Sequence, residues 1–320
     1  MENNSRVSEF TLVGFTDNQQ LEILLFIVLF IAYLSTVLGN TLIIVLTIVN
    51  QRLRSPMYFF LRHFAVLEIG FTSVMIPKAL VNIAMGHKAI SVYGCFVQIF
   101  VYFALGSTEF FLLAIMSIDR YVAICNPLHY SSTMTGWNCS LLVLCCWGGG
   151  TLLFMGPAVG LFQMPFCGPS TINHFFCDNG PLIRLACADT TLLEYTYFLT
   201  AMILLLGTLA IHVISYAKII STILGIPSAK GRQKAFSTCA AHITVISITY
   251  GSCIVLYLRL NKPSEVDYSK VVAVFNTVVS PLLNPFIYCL RNEQFLEKHL
   301  QTMYHSLKDS MRVGRTTVRT

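Results

Sequence analysis

Charge is the scarcest thing in this sequence. Asp, Glu, Lys and Arg make up 11% of its 320 residues and hydrophobic residues 55%, with a mean hydropathy of +0.68. Soluble domains are charged at about a quarter of their positions, so an ordinary water-borne domain is excluded and a bilayer is the expected medium. Internal repeats of about 20–50 residues are absent, as are two halves with matching broken helices; both absences weigh against a transporter built from inverted repeats. Neither a zinc-type histidine motif nor a matched aspartyl pair occurs. Glu68 and Glu109 are the only candidates for intramembrane catalysis and lack a nucleophile partner, so no enzyme is expected. Residues 1–20 are polar and mixed, without the basic start and short apolar core of a signal peptide.

What is abundant is apolar sequence in runs near 20 residues, the length that crosses roughly 30 Å of hydrocarbon at about 1.5 Å per residue. Seven spans are predicted, at about 22–49, 57–85, 95–124, 139–162, 195–224, 235–258 and 270–290. Five have centres almost free of charge; the second carries Arg62, His63, Glu68 and Lys78, and Pro281 and Pro285 interrupt the seventh. The expected fold is an all-α membrane protein, a seven-transmembrane helix bundle (22–290) between an N-terminal tail (1–21) and a C-terminal segment (291–320). In that segment Phe295, Leu296, Leu300 and Met303 recur at helical spacing, which suits a short amphipathic helix on the membrane surface.

Positive residues resist translocation, so Lys and Arg counted by side give the orientation. With the N-terminus outside, thirteen fall on the inner side and six on the outer, Arg62 and Lys78 lying within span two. The chain is accordingly read as a multi-pass protein with its N-terminus extracellular. Asn3-Asn4-Ser5 then offers Asn3 for glycosylation, whereas Asn138-Cys139-Ser140 lies inside, where it goes unused. Four of eleven cysteines, Cys95, Cys167, Cys177 and Cys187, lie on the oxidising side. Four allow three pairings, and their spacing selects none. The net charge of +6 is mostly this inner-leaflet bias; it implies membrane lipid as a neighbour and gives no support to nucleic acid.

Ionisable residues inside a membrane are costly and tend to be functional. Glu109 lies eleven residues before Arg120 and Glu68 twelve beyond Pro56, on the order of 16 and 18 Å from the inner ends, so the two carboxylates reach similar depth. Asn40 and Asn284 fall in nearby layers. Two close carboxylates in a low dielectric cannot both stay ionised without a counter-charge, so a shared proton or a sodium ion is expected there as a conformational lock. The competing reading is two separate carboxylates, each satisfied by amide or hydroxyl donors. Pro281 and Pro285 lack amide hydrogens and bend span seven; Tyr288, one turn below Asn284, then swings with that bend while Tyr216 approaches from span five, the competing reading being that tyrosines at helix ends are interfacial anchors. At the inner mouth of span three Asp119 can hold Arg120 in a charge-assisted pair, equally readable as an interfacial anchor.

In the outer half of span three Tyr102, Phe103, Gly106 and Ser107 stand at i, i+1, i+4 and i+5, one face of a helix. No carboxylate precedes Glu109 there, which favours a neutral ligand held by packing and one or two hydrogen bonds. The outer stretch of about 163–194, rich in Cys, Pro and aromatics, reads as a stapled lid over the bundle mouth.

SIDRYVAICNPLHY (Ser117 to Tyr130), read with SPMYFFL (Ser55 to Leu61), Gly39-Asn40, Ser215-Tyr216, KAFSTCAAH (Lys234 to His242) and PLLNPFIYCLRN (Pro281 to Asn292), resembles the odorant receptors, a family of rhodopsin-like G-protein-coupled receptors. HFFCD (His174 to Asp178) followed by Leu185-Ala186-Cys187 fits the family's outer loop, and KAFSTC resembles the tetrapod-type class. The segment RHFAVLE after PMYFFL departs from the family's usual sequence, Glu68 stands where Asp is more common, and Thr249 replaces a common aromatic.

That resemblance implies a small neutral odorant as ligand, a heterotrimeric stimulatory G protein of the olfactory type as partner, cyclic AMP as output, and the plasma membrane of olfactory sensory cilia as the place. A metabolite receptor outside the nose is the alternative, with a transporter further off. The resemblance makes Asp119, Arg120 and Tyr121 the inner switch, joined by Tyr216, Asn284, Pro285 and Tyr288. It pairs Cys95 with Cys177 and Cys167 with Cys187, and it implies no cofactor beyond a sodium ion at Glu68 and Glu109. It extends the ligand wall to Thr200, Ala201 and Leu204 on span five, to Tyr250, Cys253, Ile254 and Tyr257 on span six, and to Val274 and Thr277 on span seven.

Overall fold

A helix leaves its first amides without partners, and here Asn18, Ser91 and Thr135 take them up. The Asn18 side chain accepts from the amides of Gln20 and Leu21, Ser91 from Gly94, and Thr135 from Asn138. These caps start three long helices of the computed structural model, which describes residues 8–16, 18–86, 88–167, 170–259 and 265–290. The side chains of Arg52, Lys234, Thr238, 255–259, 265–269 and 288–290 lie outside that description.

In chain order the elements are β1 (Glu9–Leu12), α1 (Gln19–Val49), α2 (Pro56–Met85), β2 (Ala89–Ser91), α3 (Val92–Cys125), α4 (Tyr130–Thr133), α5 (Gly136–Leu153) and α6 (Met155–Phe162). They continue with β3 (Thr171–Ile172), α7 (Asn179–Ile183), α8 (Thr191–Leu224), α9 (Ala229–Arg259), α10 (Glu265–Val274) and α11 (Ser280–Leu290). Six stretches among the described residues are helical, long and apolar enough to cross a membrane, and α9 adds the shorter apolar stretch Cys239–Ile254. The architecture is a seven-transmembrane helix bundle. α3 is its hub, packed against α2, α5, α8 and α9, with Leu112, Leu113 and Met116 fully buried. The outward faces of α1 and α8 expose Leu24, Ile31, Leu38, Leu206 and Ile214, a surface suited to lipid tails rather than water.

Helix limits differ from the apolar runs where backbone chemistry intervenes. The fourth run divides at Phe154, because Pro157 has no amide to give the carbonyl of Leu153. α9 starts at Ala229 rather than 235, its first turns carrying Lys230 and Arg232; hydropathy marks only the part that sits in lipid. Before Pro281 the chain widens into a π turn over Phe275–Val279, the amide of Ser280 reaching back to the carbonyl of Phe275.

One end of the bundle carries a small sheet that hydropathy did not announce. β1 lies between β2, antiparallel, and β3, parallel. Residues 9–14, expected as plain tail, are therefore stitched across the α2–α3 connection and the lid. Lys88 reinforces the stitch with hydrogen bonds to Glu22 and to the carbonyl of Val13. Cys95 is joined to Cys177 and Cys167 to Cys187, tying the top of α3 to the lid and the lid to itself. Asn3 and the expected surface helix through Phe295, Leu296, Leu300 and Met303 lie outside the described residues.

Candidate functional site

Beneath the lid a cavity of about 140 Å³ opens between α2, α3, α8, α9 and the π turn. Its upper wall is Phe71, Tyr102, Phe103, Phe154, Ala201 and Leu204. The rings interlock: Phe103 stacks on Phe154 at 4.9 Å, and Phe71 leans on Tyr102 at 5.0 Å. Deeper along α3 the wall turns polar, with Ser107, Glu109, Thr249, Asn276 and Ser280. The carboxylate-free outer half of α3 therefore does not keep charge out of the cavity, because Glu109 itself lines the floor.

Of the residues assigned to a ligand wall, Tyr102, Phe103, Gly106, Ser107, Ala201, Leu204 and Cys253 line this cavity. Thr200 is buried but not on its wall. Tyr250 stands behind the wall, sharing a 2.6 Å hydrogen bond with the hydroxyl of Thr208 and meeting Phe110 edge-on. Ile254 points outward, 53% exposed, since one residue beyond Cys253 is a rotation of about 100° on a helix. Its assignment to the wall is corrected here. The side chain of Tyr257 lies outside the described residues.

On the seventh span Val274 packs with the cluster of α1, α2 and lid residues, and the Thr277 hydroxyl donates to the carbonyl of Ala273. Asn276 and Ser280 take their place on the wall, because the π turn rotates the helix face away from the one that regular α spacing gives. No local sequence signal other than Pro281 hinted at that rotation.

Below the floor the two intramembrane carboxylates each have one donor. The Thr249 hydroxyl donates to Glu109 Oε1 at 3.4 Å, and Asn284 Nδ2 donates to Glu68 Oε1 at 2.6 Å. The Asn40 amide donates to the carbonyl of Thr36 in its own helix. Among the described residues the buried oxygens without a partner include Asn284 Oδ1 and Ser280 Oγ. Pro285 packs so closely on α1 that a Cβ at Gly39 would lie 3.1 Å from its own.

At the far end Asp119 is fully buried and does triple duty as an acceptor. Its Oδ2 takes hydrogen bonds from Arg120 Nε and Nη2 at 3.0 and 2.5 Å, and its Oδ1 takes one from the Tyr130 hydroxyl at 2.8 Å. Burial and the neighbouring carboxylate push the Tyr130 phenol well above its ordinary value, so it stays a donor. Tyr130 closes the motif quoted from the sequence, yet nothing in its spacing singled it out. Tyr121 and Tyr216 both pack against the buried cluster of Ile219, Ile223 and Cys239. Tyr216 shares a 2.6 Å hydrogen bond with His242 Nδ1, and one turn earlier in α8 His212 Nδ1 meets the Ser117 hydroxyl at 2.5 Å. Sequence reading missed both histidines, although a His in an apolar span was the signal. The Tyr288 side chain lies outside the described residues.

The family model described as olfactory receptor matches residues 29–306. Olfactory receptor 6E1 of Mus musculus is 57% identical over 295 residues, covering 92% of this chain and 94% of that one. The chain belongs to the olfactory receptor family. Human relatives include olfactory receptor 6C3, 50% identical over 91% of this chain and 94% of its own, and olfactory receptor 2AP1, 48% identical over 92% and 95%. Squid rhodopsin superposes with a TM-score of 0.66 at 20% identity, over 91% of this chain and 83% of that one, which makes the receptor's fold that of a rhodopsin-like bundle. It is an odorant-type G-protein-coupled receptor of the multi-pass membrane class.

The receptor's lid backs the cavity wall through Phe176, whose ring lies 5.5 Å from that of Tyr102. Gln98 of α3 fixes the lid's height, accepting from the Cys177 amide at 3.0 Å while donating to the carbonyl of Val74 at 2.8 Å. Beside it burial pushes the Asp178 carboxyl up from 3.8 to about 6, the Asn179 amide opposing the shift. A raised folded value means that the folded lid binds this proton more tightly than the unfolded chain. The stability it contributes is fully present below 3.8 and lost as pH rises through about 6. The purified receptor's thermal midpoint is therefore expected to rise on acidification from about pH 7 to about pH 5, and Asp178→Asn to flatten that rise; an unchanged slope in the variant contradicts the assignment.

Proposed function

We propose that the receptor binds small neutral odorants in the cavity beneath the lid and activates the olfactory stimulatory G protein, raising cyclic AMP. In this reading it sits in the plasma membrane of olfactory sensory cilia with its N-terminus, carrying a glycan on Asn3, outside. The observation that carries the reading is the cavity's make-up, aromatic above and hydroxyl, amide and carboxylate below. An apolar body packs against Phe103 and Phe154, and one donor group of an alcohol reaches Ser107, Glu109 or Asn276. Such small ligands gain at most about 1.5 kcal/mol per heavy atom, so weak binding and broad tuning follow. Binding signals only if it favours the active arrangement over the resting one, and Glu109 with Thr249 ties the floor of the cavity to α9, the helix that also holds Tyr216 through His242.

Gly106 offers a direct test. A Cβ there meets Phe71 at an ordinary 3.7 Å, so Gly106→Ala is expected to keep odorant-driven cyclic AMP, whereas Gly106→Leu fills the cavity and raises the half-maximal odorant concentration at least about tenfold at equal surface expression. An undiminished Gly106→Leu response places the ligand elsewhere.

Sodium is proposed at Glu68 and Glu109, with Asn284 and Ser280 as further oxygen donors, holding the resting arrangement. Exchanging sodium for an impermeant organic cation is expected to increase odorant potency in the wild type and leave Glu109→Gln indifferent. Equal salt responses in both eliminate the role.

A further inference from the structure

Arg62 lies six residues into α2 from Pro56, within an apolar span, where a guanidinium without a partner is costly. Among the described residues the ion pairs are Lys88 with Glu22 and Arg120 with Asp119; Arg62 and Arg54 are in neither. Side chains on a helix lean toward its N-terminus. Arg62 does so, its guanidinium carbon 5.1 Å above the centre of the Phe59 ring one turn back. That lean brings it to a second cavity, of about 290 Å³, at the Arg120 end of α1 and α2.

The polar wall of this cavity is Arg54, Ser55, Tyr58, Arg62 and Thr47, with Ile48, Leu53 and Phe59 as apolar neighbours. The Thr47 hydroxyl is spent on the carbonyls of Ile43 and Ile44, but Ser55 makes no capping bond with its side chain. Two guanidiniums and a hydroxyl around one space, with no described carboxylate paired to either arginine, match a phosphate, which accepts from both at once. The apolar rim selects the source. Ile48 and Val49 are 54% and 72% exposed on the face of α1 beside the cavity, so an occupant whose head enters here lays its tail along a lipid-facing helix.

We propose that this cavity binds the phosphate of an anionic phospholipid of the inner leaflet, clamped between Arg54 and Arg62. The leaflet rests on the proposed orientation; the phosphate chemistry does not.

The test uses the full receptor in phosphatidylcholine nanodiscs containing a photoactivatable phosphatidic acid, with the cross-linked peptide identified by mass spectrometry. It needs neither odorant nor G protein, so its failure is separate from any failure of the signalling assignment. Labelling is expected within residues 47–62, at least about tenfold weaker in Arg54→Gln/Arg62→Gln, and recovered in large part by Arg62→Lys in place of Arg62→Gln. Unlabelled phosphatidic acid is expected to compete and soluble glycerol 3-phosphate to leave labelling intact. Should the double variant not fold, judged by an unformed Cys95–Cys177 bond, Arg54→Gln alone at its exposed position is expected to lower labelling about threefold. Undiminished labelling in the folded variants overturns the proposal. So does suppression by glycerol 3-phosphate, which makes the pocket a soluble-phosphate site.

Discussion

Cys95→Ser is expected to leave almost no receptor at the cell surface. Cys95 and Cys177 are both fully buried and stand 82 residues apart in sequence. On the chain-entropy account a crosslink over that separation stabilises by about 4–5 kcal/mol, against about 3 kcal/mol for the 20-residue separation of Cys167 and Cys187. The larger figure is comparable to the whole stability of many folded domains. Its loss also lets the lid drift from Gln98, which fixes its height through the Cys177 amide. Antibody labelling of an N-terminally tagged receptor on intact cells is the measurement. Near-complete retention of Cys95→Ser inside the cell, with a milder loss for Cys167→Ser, is the expected pattern; wild-type surface levels of Cys95→Ser contradict it.

Arg120→Ala is expected to reach the surface and to lose at least about tenfold of its odorant-driven cyclic AMP. In the structure Arg120 is held by Asp119, and Asp119 is shared with Tyr130. Release of that guanidinium toward the G protein is the proposed output step, so without it the cavity reports to nothing. Removing Arg120 also strands a buried carboxylate, a change that by itself costs about 3–5 kcal/mol, and Asp119→Asn/Arg120→Ala separates the two effects by removing the charge along with its partner. The double variant is expected to match or exceed the surface expression of Arg120→Ala without regaining its signalling. Tyr130→Phe keeps Arg120 and removes one of the restraints on Asp119, so a raised basal cyclic AMP is expected in the same assay. Undiminished odorant response in Arg120→Ala refutes the switch assignment.

Much of this arrangement is legible in the residues themselves. A span betrays itself through length and hydropathy alone, and Glu68, Glu109 and Arg120 stand out because charge in lipid is rare. What sequence does not carry is mutual placement. β1 is four residues whose partners lie at 89–91 and 171–172, and its pairing rests on backbone hydrogen bonds that no side-chain pattern records. The face of the seventh span shifts because a π turn precedes Pro281, so the α-helical spacing that selected Val274 and Thr277 missed Asn276 and Ser280. Ile254 was misplaced by a single residue's rotation, although Cys253 beside it lines the cavity. Tyr130 belongs to the Asp119 cluster only because α4 turns back beneath α3, and that turn is three-dimensional information.

The central claim is that a guest in the lid-side cavity moves the arginine at the opposite end. The most direct measurement is guanine-nucleotide exchange on a purified stimulatory G-protein heterotrimer, driven by the receptor in nanodiscs with a panel of neutral odorants. The account predicts accelerated exchange for at least one odorant with wild type and Gly106→Ala, and none with Gly106→Leu or Arg120→Ala. Equal acceleration in Gly106→Leu, or passage of solute through receptor-bearing vesicles with no exchange for any odorant, contradicts it.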